Sequence, residues 1–184
     1  MSELDEVWAS ALAEAEARAR AAGRTDISHY LALRSSNDLI RTTAGNWLLG
    51  LFTAAAGIAN RSGAGIQIST EATQRFKVGN ASMVGPQLRL SKGERQLTIS
   101  VGWPRVPRDG FISGGGLACG NIKHRGLNAA NEELRLLLRS DGTPSWIAAR
   151  ELETSKDGRE FHEADVGSHL ALLLDELHRP TSRP

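Results

Sequence analysis

Apolar residues recur at three- and four-residue steps over the first part of the chain. Leu4, Val7, Leu12 and Ala15 form one such stripe, which predicts an amphipathic helix over residues 2–22. Two further helices are predicted, a short one over residues 27–34 and a longer one that starts at the serine pair 35–36.

The longer predicted helix contains an uncharged run between Arg41 and Arg61. Its length is close to the roughly 20 residues that a membrane span needs. Threonine and asparagine residues dilute the run, however, and its strongly apolar part extends only from Trp47 to Ile58. An apolar stretch of that length favours a buried core helix, so we predict no membrane span.

After residue 62 the apolar period changes from 3.6 to 2, which is typical of strands with one buried and one solvated face. Leu97, Ile99 and Val101 give the clearest example. In this pattern Arg89 and Arg95 are both expected on the solvated face. Near the end of the chain, leucines at helical spacing predict a helix that ends before Pro180.

The order of these elements predicts an α+β fold, because the strands follow one another through short joins without alternating helices. We expect N-terminal helices, a mostly antiparallel sheet of about six to eight short strands, and a C-terminal amphipathic helix packed on the sheet. One domain is expected over residues 1–184. It comprises a helical segment 1–61, a β-rich segment 62–160 and the C-terminal helix 161–179.

The charges are distributed unevenly along the chain, although the net charge is only +1. Residues 1–60 sum to −2 and residues 127–184 to −4, whereas residues 61–126 carry ten lysines and arginines against three acids, giving +7. A basic middle segment indicates a surface for an anion, unless the fold disperses these residues. The acidic ends of the chain also allow self-association.

The cysteine content and the N-terminal sequence indicate the cellular compartment in which the protein is expected. Cys119 is the single cysteine, so an intramolecular disulfide is excluded, as is typical of proteins in a reducing environment. The acidic N-terminus lacks the basic and apolar regions of a secretory signal. We therefore expect a cytoplasmic protein.

The stretch 102–126 combines seven glycines with Cys119 and His124. Its glycine cluster, 114–116, matches neither a P-loop nor a dinucleotide-binding pattern, so no cofactor is predicted. A small cysteine- and histidine-dependent enzyme with its site in the loop 110–126 is the alternative function that we consider. An extended chain would place Cys119 and His124 on opposite faces, because their spacing is odd, which argues against a catalytic pair.

The remaining histidines and acids give weak signals for a metal or catalytic site. His162, Asp165 and His169 are expected on the solvated face of the C-terminal helix, opposite its leucines. Two histidines seven residues apart are too distant for the usual metal-binding spacing of i and i+4. We predict no metal site.

The leading hypothesis is a non-enzymatic binding or assembly module that presents a basic, β-rich surface to an anionic partner. That partner is a nucleic acid or an acidic protein surface. The predicted contacts share a basic side chain in the middle segment: Arg89, Arg95, Arg105, Arg108, Lys123, His124 and Arg125.

Overall fold

The computed structural model describes residues 3–112, 114–152 and 158–174. Within these residues the chain forms helices at both ends and six strands between them. In chain order the elements are α1 Glu3–Ala21, α2 Thr25–Arg61, β1 Gln67–Val78, β2 Ala81–Lys92, β3 Arg95–Gly102, β4 Ala118–His124, β5 Glu132–Leu138, β6 Pro144–Ala148, α3 Ala149–Leu152 and α4 Glu163–Leu174. The predicted α+β class is confirmed; the predicted end of the C-terminal helix, 175–179, lies outside the described residues.

The six strands form one antiparallel sheet in the order β1-β2-β3-β4-β5-β6. Each strand therefore pairs with its neighbours in sequence, as short joins require. Between β2 and β3 the pair Lys92 and Arg95 closes a two-residue hairpin loop. Gly93 has a φ of 58° there, which glycine adopts without steric cost.

The chain divides into two compact units, Met1–Ala44 and Gly45–Pro184. The first unit consists of α1 and the beginning of α2. Its first helix matches the prediction, but the two helices predicted after it are one continuous helix of 37 residues. Ser35 and Ser36 lie inside that helix. Serine is favoured at helix caps, but, unlike proline, it does not break a helix when it lies in the interior.

The second unit has its core between the helices and one face of the sheet. Leu48, Phe52 and Ala56 of α2 are buried, as are Val166, Leu170 and Leu173 of α4. The apolar residues of the strands that face them are also buried: Leu88, Leu90, Leu97, Ile99, Val101, Ile122, Leu134 and Leu136. This is the solvent-excluded face that the period-2 pattern predicts.

Two glycines allow close packing in the core of the second unit. A Cβ atom at Gly45 would lie 3.1 Å from Val101 Cγ1, and one at Gly120 would lie 3.2 Å from Leu134 Cβ. Both distances are shorter than ordinary contacts between carbon atoms. The missing side chain of Gly45 therefore lets α2 approach β3, and that of Gly120 lets the side chain of Leu134 on the adjacent strand pack closely.

None of the described helices has the length and apolar character needed to cross a membrane. One side of the uncharged run of α2 instead packs into the core of the second unit, where Leu48, Phe52 and Ala56 are buried, whereas Trp47 and Ile58 are exposed.

The opposite face of the sheet is polar, and we call it the polar sheet face. Its middle is built by Gln87 and Arg89 of β2, Thr98 and Ser100 of β3, and Asn121 and Lys123 of β4, which the strand register places side by side. Near one end of this face, Val78, Ala81, Met83 and Cys119 form a small second cluster of buried residues, with Phe76 and Ile112 packed against it.

Candidate functional site

The polar sheet face contains a cleft of about 330 Å³. We call it the polar cleft. Its lining combines amide, hydroxyl and cationic side chains with one phenyl ring: Phe76, Gln87, Gln96, Thr98, Ser100, Asn121, Lys123, His124, Arg125, Gly126, Asn128 and Asn131. No aspartate or glutamate of the described ranges is among these lining residues.

Hydrogen bonds between neighbouring side chains orient the amides of the polar cleft. The Gln87 amide nitrogen donates to the Ser100 hydroxyl (2.9 Å), and its carbonyl oxygen accepts from Arg89 (3.2 Å). The Gln96 amide likewise donates to the Thr98 hydroxyl (3.0 Å). These bonds fix part of the lining in advance, which lowers the entropic cost of binding a polar ligand.

Two of the predicted basic residues meet at the polar cleft with their charges exposed. Lys123 ends the polar row of β4, and Arg125 follows two residues later at the start of the loop 125–131. Arg89 lies on the same face, where its guanidinium is 3.5 Å from the Glu71 carboxylate. Its Nε is buried and has no hydrogen-bond partner in the described part of the chain.

The other predicted basic residues lie elsewhere. The prediction that Arg95 shares the solvated face with Arg89 is wrong, because Arg95 has the same alternation as Leu97 and donates to the Leu172 carbonyl near the end of α4 (2.9 Å). Arg105 stacks over the Trp103 ring, with its guanidinium carbon 4.0 Å from the ring centre. Arg108 is exposed on a short 3-10 turn. The basic middle segment therefore converges only in part.

The loop after β3 is held by a buried carboxylate. Asp109 accepts hydrogen bonds from the Arg75 guanidinium (2.6 Å) and from the backbone N–H groups of Arg105 (3.1 Å) and Val106 (3.2 Å). The bond to Arg75 is the main reason why the pKa of Asp109 is lowered. This carboxylate therefore fixes the turn between Arg105 and Asp109.

The geometry gives no support to a catalytic pair of Cys119 and His124. The two side chains lie on opposite faces of β4, as their odd spacing predicts. Cys119 is buried in the cluster with Met83, and burial raises the pKa of its thiol to about 11. A thiol in this setting does not form the thiolate that a nucleophile requires at neutral pH.

His124 is instead part of a buried hydrogen-bonded array on the core face. Its Nε2 lies 2.9 Å from Nδ1 of His169, and the two rings are stacked with their centres 5.2 Å apart. His169 Nε2 lies 3.1 Å from the Glu132 carboxylate. We call Glu132, His169 and His124 the histidine array.

The surroundings of the histidine array are apolar on one side and ionic on the other. The rings of Phe52 and Phe161 lie 6.1 and 6.2 Å from that of His169. On the other side Arg159 lies 3.2 Å from Glu132 and also pairs with Asp165 at 2.5 Å. Burial and the neighbouring His169 lower the pKa of His124 to about 4, so its ring is neutral at pH 7.

The histidine array corrects the interpretation of α4. His169 was expected on the solvated face, yet it is buried, because it lies three residues after Val166 and four before Leu173 on the buried stripe. This spacing was visible in the sequence. Its pairing with Glu132 and His124 was not visible, since it joins residues 37 and 45 positions apart. Among the described residues, no group of three or more metal-binding side chains could hold a metal ion.

Comparisons with known proteins give no relative from which a function could be inferred, so the proposal below is based on this geometry. No family model, no curated protein and no solved structure matches the chain.

Proposed function

We propose that the protein is a non-enzymatic binding module that holds single-stranded nucleic acid on its polar sheet face. The observation that carries the proposal is the composition of the polar cleft. Two exposed cations, Lys123 and Arg125, stand beside a lining of amides and hydroxyls that contains no carboxylate among the described residues.

The cations suit the phosphates of a nucleic acid strand. Phosphate contacts from lysine and arginine supply most of the sequence-independent affinity of such proteins. The acids closest to this face along the strands are engaged with arginines, since Glu71 lies 3.5 Å from Arg89 and Glu133 lies 2.9 Å from Arg135. Their negative charge is therefore partly compensated where a phosphate would approach.

The amides suit the bases. Asparagine and glutamine side chains each present a donor and an acceptor, as the edges of unpaired bases do. Five amides line the polar cleft, namely Gln87, Gln96, Asn121, Asn128 and Asn131, and Phe76 adds an aromatic ring. An acidic protein surface has little use for so many acceptors, so the amides favour nucleic acid over that alternative.

The shape of the site favours one strand over a duplex. Proteins that read duplex DNA insert a helix or a two-stranded ribbon into a groove. A cleft recessed in a sheet accepts bases that are splayed out of a single strand. The buried, unpaired Cys119 is compatible with the cytoplasm, where we place this function.

Fluorescence anisotropy with a labelled mixed-sequence single strand tests the proposal. We expect binding at low salt and a loss of roughly tenfold or more in affinity for the double variant Lys123→Gln/Arg125→Gln. The matched control is Arg24→Gln/Arg150→Gln, which removes the same charge from exposed positions that do not line the polar cleft. Equal losses in the two variants would overturn the proposed site.

Competition separates nucleic acid from an acidic protein surface. Unlabelled single strand should displace the labelled strand at far lower charge concentration than polyglutamate, because polyglutamate offers phosphate-like charge without bases. Equal displacement by both polyanions would reassign the polar cleft to acidic protein partners. Absence of any binding at low salt would remove the nucleic-acid function.

A further inference from the structure

His169 holds both ends of the loop 125–131, which forms one wall of the polar cleft. One end of this loop follows His124, the last residue of β4, and the other precedes Glu132, the first residue of β5. His169 of α4 hydrogen-bonds both of these residues, at 2.9 and 3.1 Å. The loop itself supplies Arg125, Asn128 and Asn131 to the polar cleft.

A second contact ties the loop to the same array. The backbone N–H of His124 donates to the Asn131 side-chain oxygen at 2.8 Å. The position of His124 is thereby coupled to that of Asn131, which lines the polar cleft. A displacement of the His124 backbone would therefore also displace Asn131 in the wall of the cleft.

The protonation state of the histidine array decides whether these bonds can form. With one proton on each ring, His124 Nε2 donates to His169 Nδ1, and His169 Nε2 donates to Glu132. One added proton is tolerated, because a doubly protonated His169 donates to Glu132 and to His124 at once. A further proton on His124 places two N–H groups and two positive charges face to face across 2.9 Å.

We propose that the histidine array is a proton-sensitive clamp of the loop 125–131, in which protonation of His124 releases α4 from the two strands and opens the wall of the polar cleft. Burial opposes this proton, and so does the electrostatic effect of the neighbouring His169. Release resolves the clash, because both rings then reach water.

The other charged groups around the histidine array favour a proton on His169 and do not favour an additional proton on His124. Glu132 on β5 offsets a charge on His169. Arg159, which precedes α4, pairs with Glu132, with Asp165 on α4 and with Glu151 on α3. On the side of His124, burial and His169 are the causes that lower its pKa and oppose a further positive charge.

Native-state hydrogen exchange of the full chain, followed by NMR from about pH 7 to about pH 4, tests the clamp without any ligand. We expect the amides of α4 and of the loop 125–131 to lose at least about tenfold in protection factor as His124 takes up its proton. The paired amides of β2 and β3 should keep their protection under the same conditions. Simultaneous loss in all of these segments would overturn the proposal, because it would indicate global unfolding.

A pair of variants gives the second arm of the test. His124→Leu/His169→Phe replaces both rings by apolar side chains, and replacing both partners of a buried hydrogen bond is tolerated better than replacing one. The acid-induced loss of protection should disappear in it. His162→Gln, which removes an exposed histidine close to α4, should leave that loss unchanged. Persistence of the acid step in the double variant would contradict the clamp.

One consequence rests on the proposed function. If the polar cleft binds a single strand, opening its wall should weaken binding in the same pH range in which α4 loses protection. A clamp seen by exchange without any effect on binding would overturn only the coupling to the ligand. Absence of binding at every pH would overturn the proposed function and leave the exchange result standing.

Discussion

The Nδ1 atom of His169 lies 2.9 Å from Nε2 of His124, although 45 residues separate the two in sequence. This contact joins the last described helix to the end of β4. Because both rings are buried, neither can exchange this partner for water while the helix stays in place. The pair is therefore a specific link between α4 and the strand that carries Lys123.

Truncation of His169 should be costly. In His169→Ala the Nε2 of His124 and the Glu132 carboxylate lose a partner, and a space opens beside Phe52 and Phe161. We expect a loss of about 2–4 kcal/mol in the free energy of unfolding, measured by urea denaturation. The exposed His162, replaced by alanine, should change that free energy by less than about 0.5 kcal/mol. Similar values for both variants would show that the array does not hold α4.

The stability of the protein should fall on mild acidification. Because the pKa of His124 is lowered from 6.5 to about 4, the unfolded chain binds a proton between these pH values that the folded chain excludes. The free energy of unfolding should therefore decrease as the pH falls from about 6.5 to about 4, by at most about 3 kcal/mol from this residue. Urea midpoints across this range measure the decrease. A variant without both buried histidines should show a shallower decrease, and an unchanged slope would contradict this origin.

The thiol of Cys119 should be inert in the folded protein. It is fully buried and its pKa is raised to about 11, so both access and thiolate formation are suppressed. Alkylation by iodoacetamide at neutral pH should be slow in buffer and fast in urea, as followed by mass spectrometry. Rapid modification of the folded chain would return Cys119 to the candidate nucleophiles.

A methyl group at Gly85 should disrupt the sheet. A Cβ atom there would overlap the carbonyl oxygen of Val101, a backbone atom of the adjacent strand. We expect Gly85→Ala to lower the thermal midpoint strongly or to prevent folding. Gly50→Ala is the matched control, since its Cβ would meet nothing within 4 Å on α2, and alanine should stabilise a helix by roughly 0.5–1 kcal/mol. Tolerance of alanine at Gly85 would contradict the packing described here.

The strands were predictable from the sequence because Leu97, Ile99 and Val101 alternate strictly with polar residues, and alternation is a local property. The face of Arg95 was predictable, because Arg95 shares the alternation of the buried Leu97. The meeting of Lys123 and Arg125 at one cleft was not predictable, since the cleft is built by paired strands that are distant in sequence. Two helices were predicted where α2 is one continuous helix, because serine residues at 35 and 36 are typical of helix caps. The polar cleft depends on the pairing of four strands, and no local pattern predicts it.

The salt dependence of single-strand binding tests the central claim most directly. Each phosphate contact contributes about 0.7 to the slope of log affinity against log salt for a single strand, measured between about 50 and 200 mM. Loss of Lys123 and Arg125 together should therefore reduce the slope of the wild-type protein by about 1.4, whereas the Arg24→Gln/Arg150→Gln control should keep it. An unchanged slope in Lys123→Gln/Arg125→Gln would contradict phosphate binding at the polar cleft.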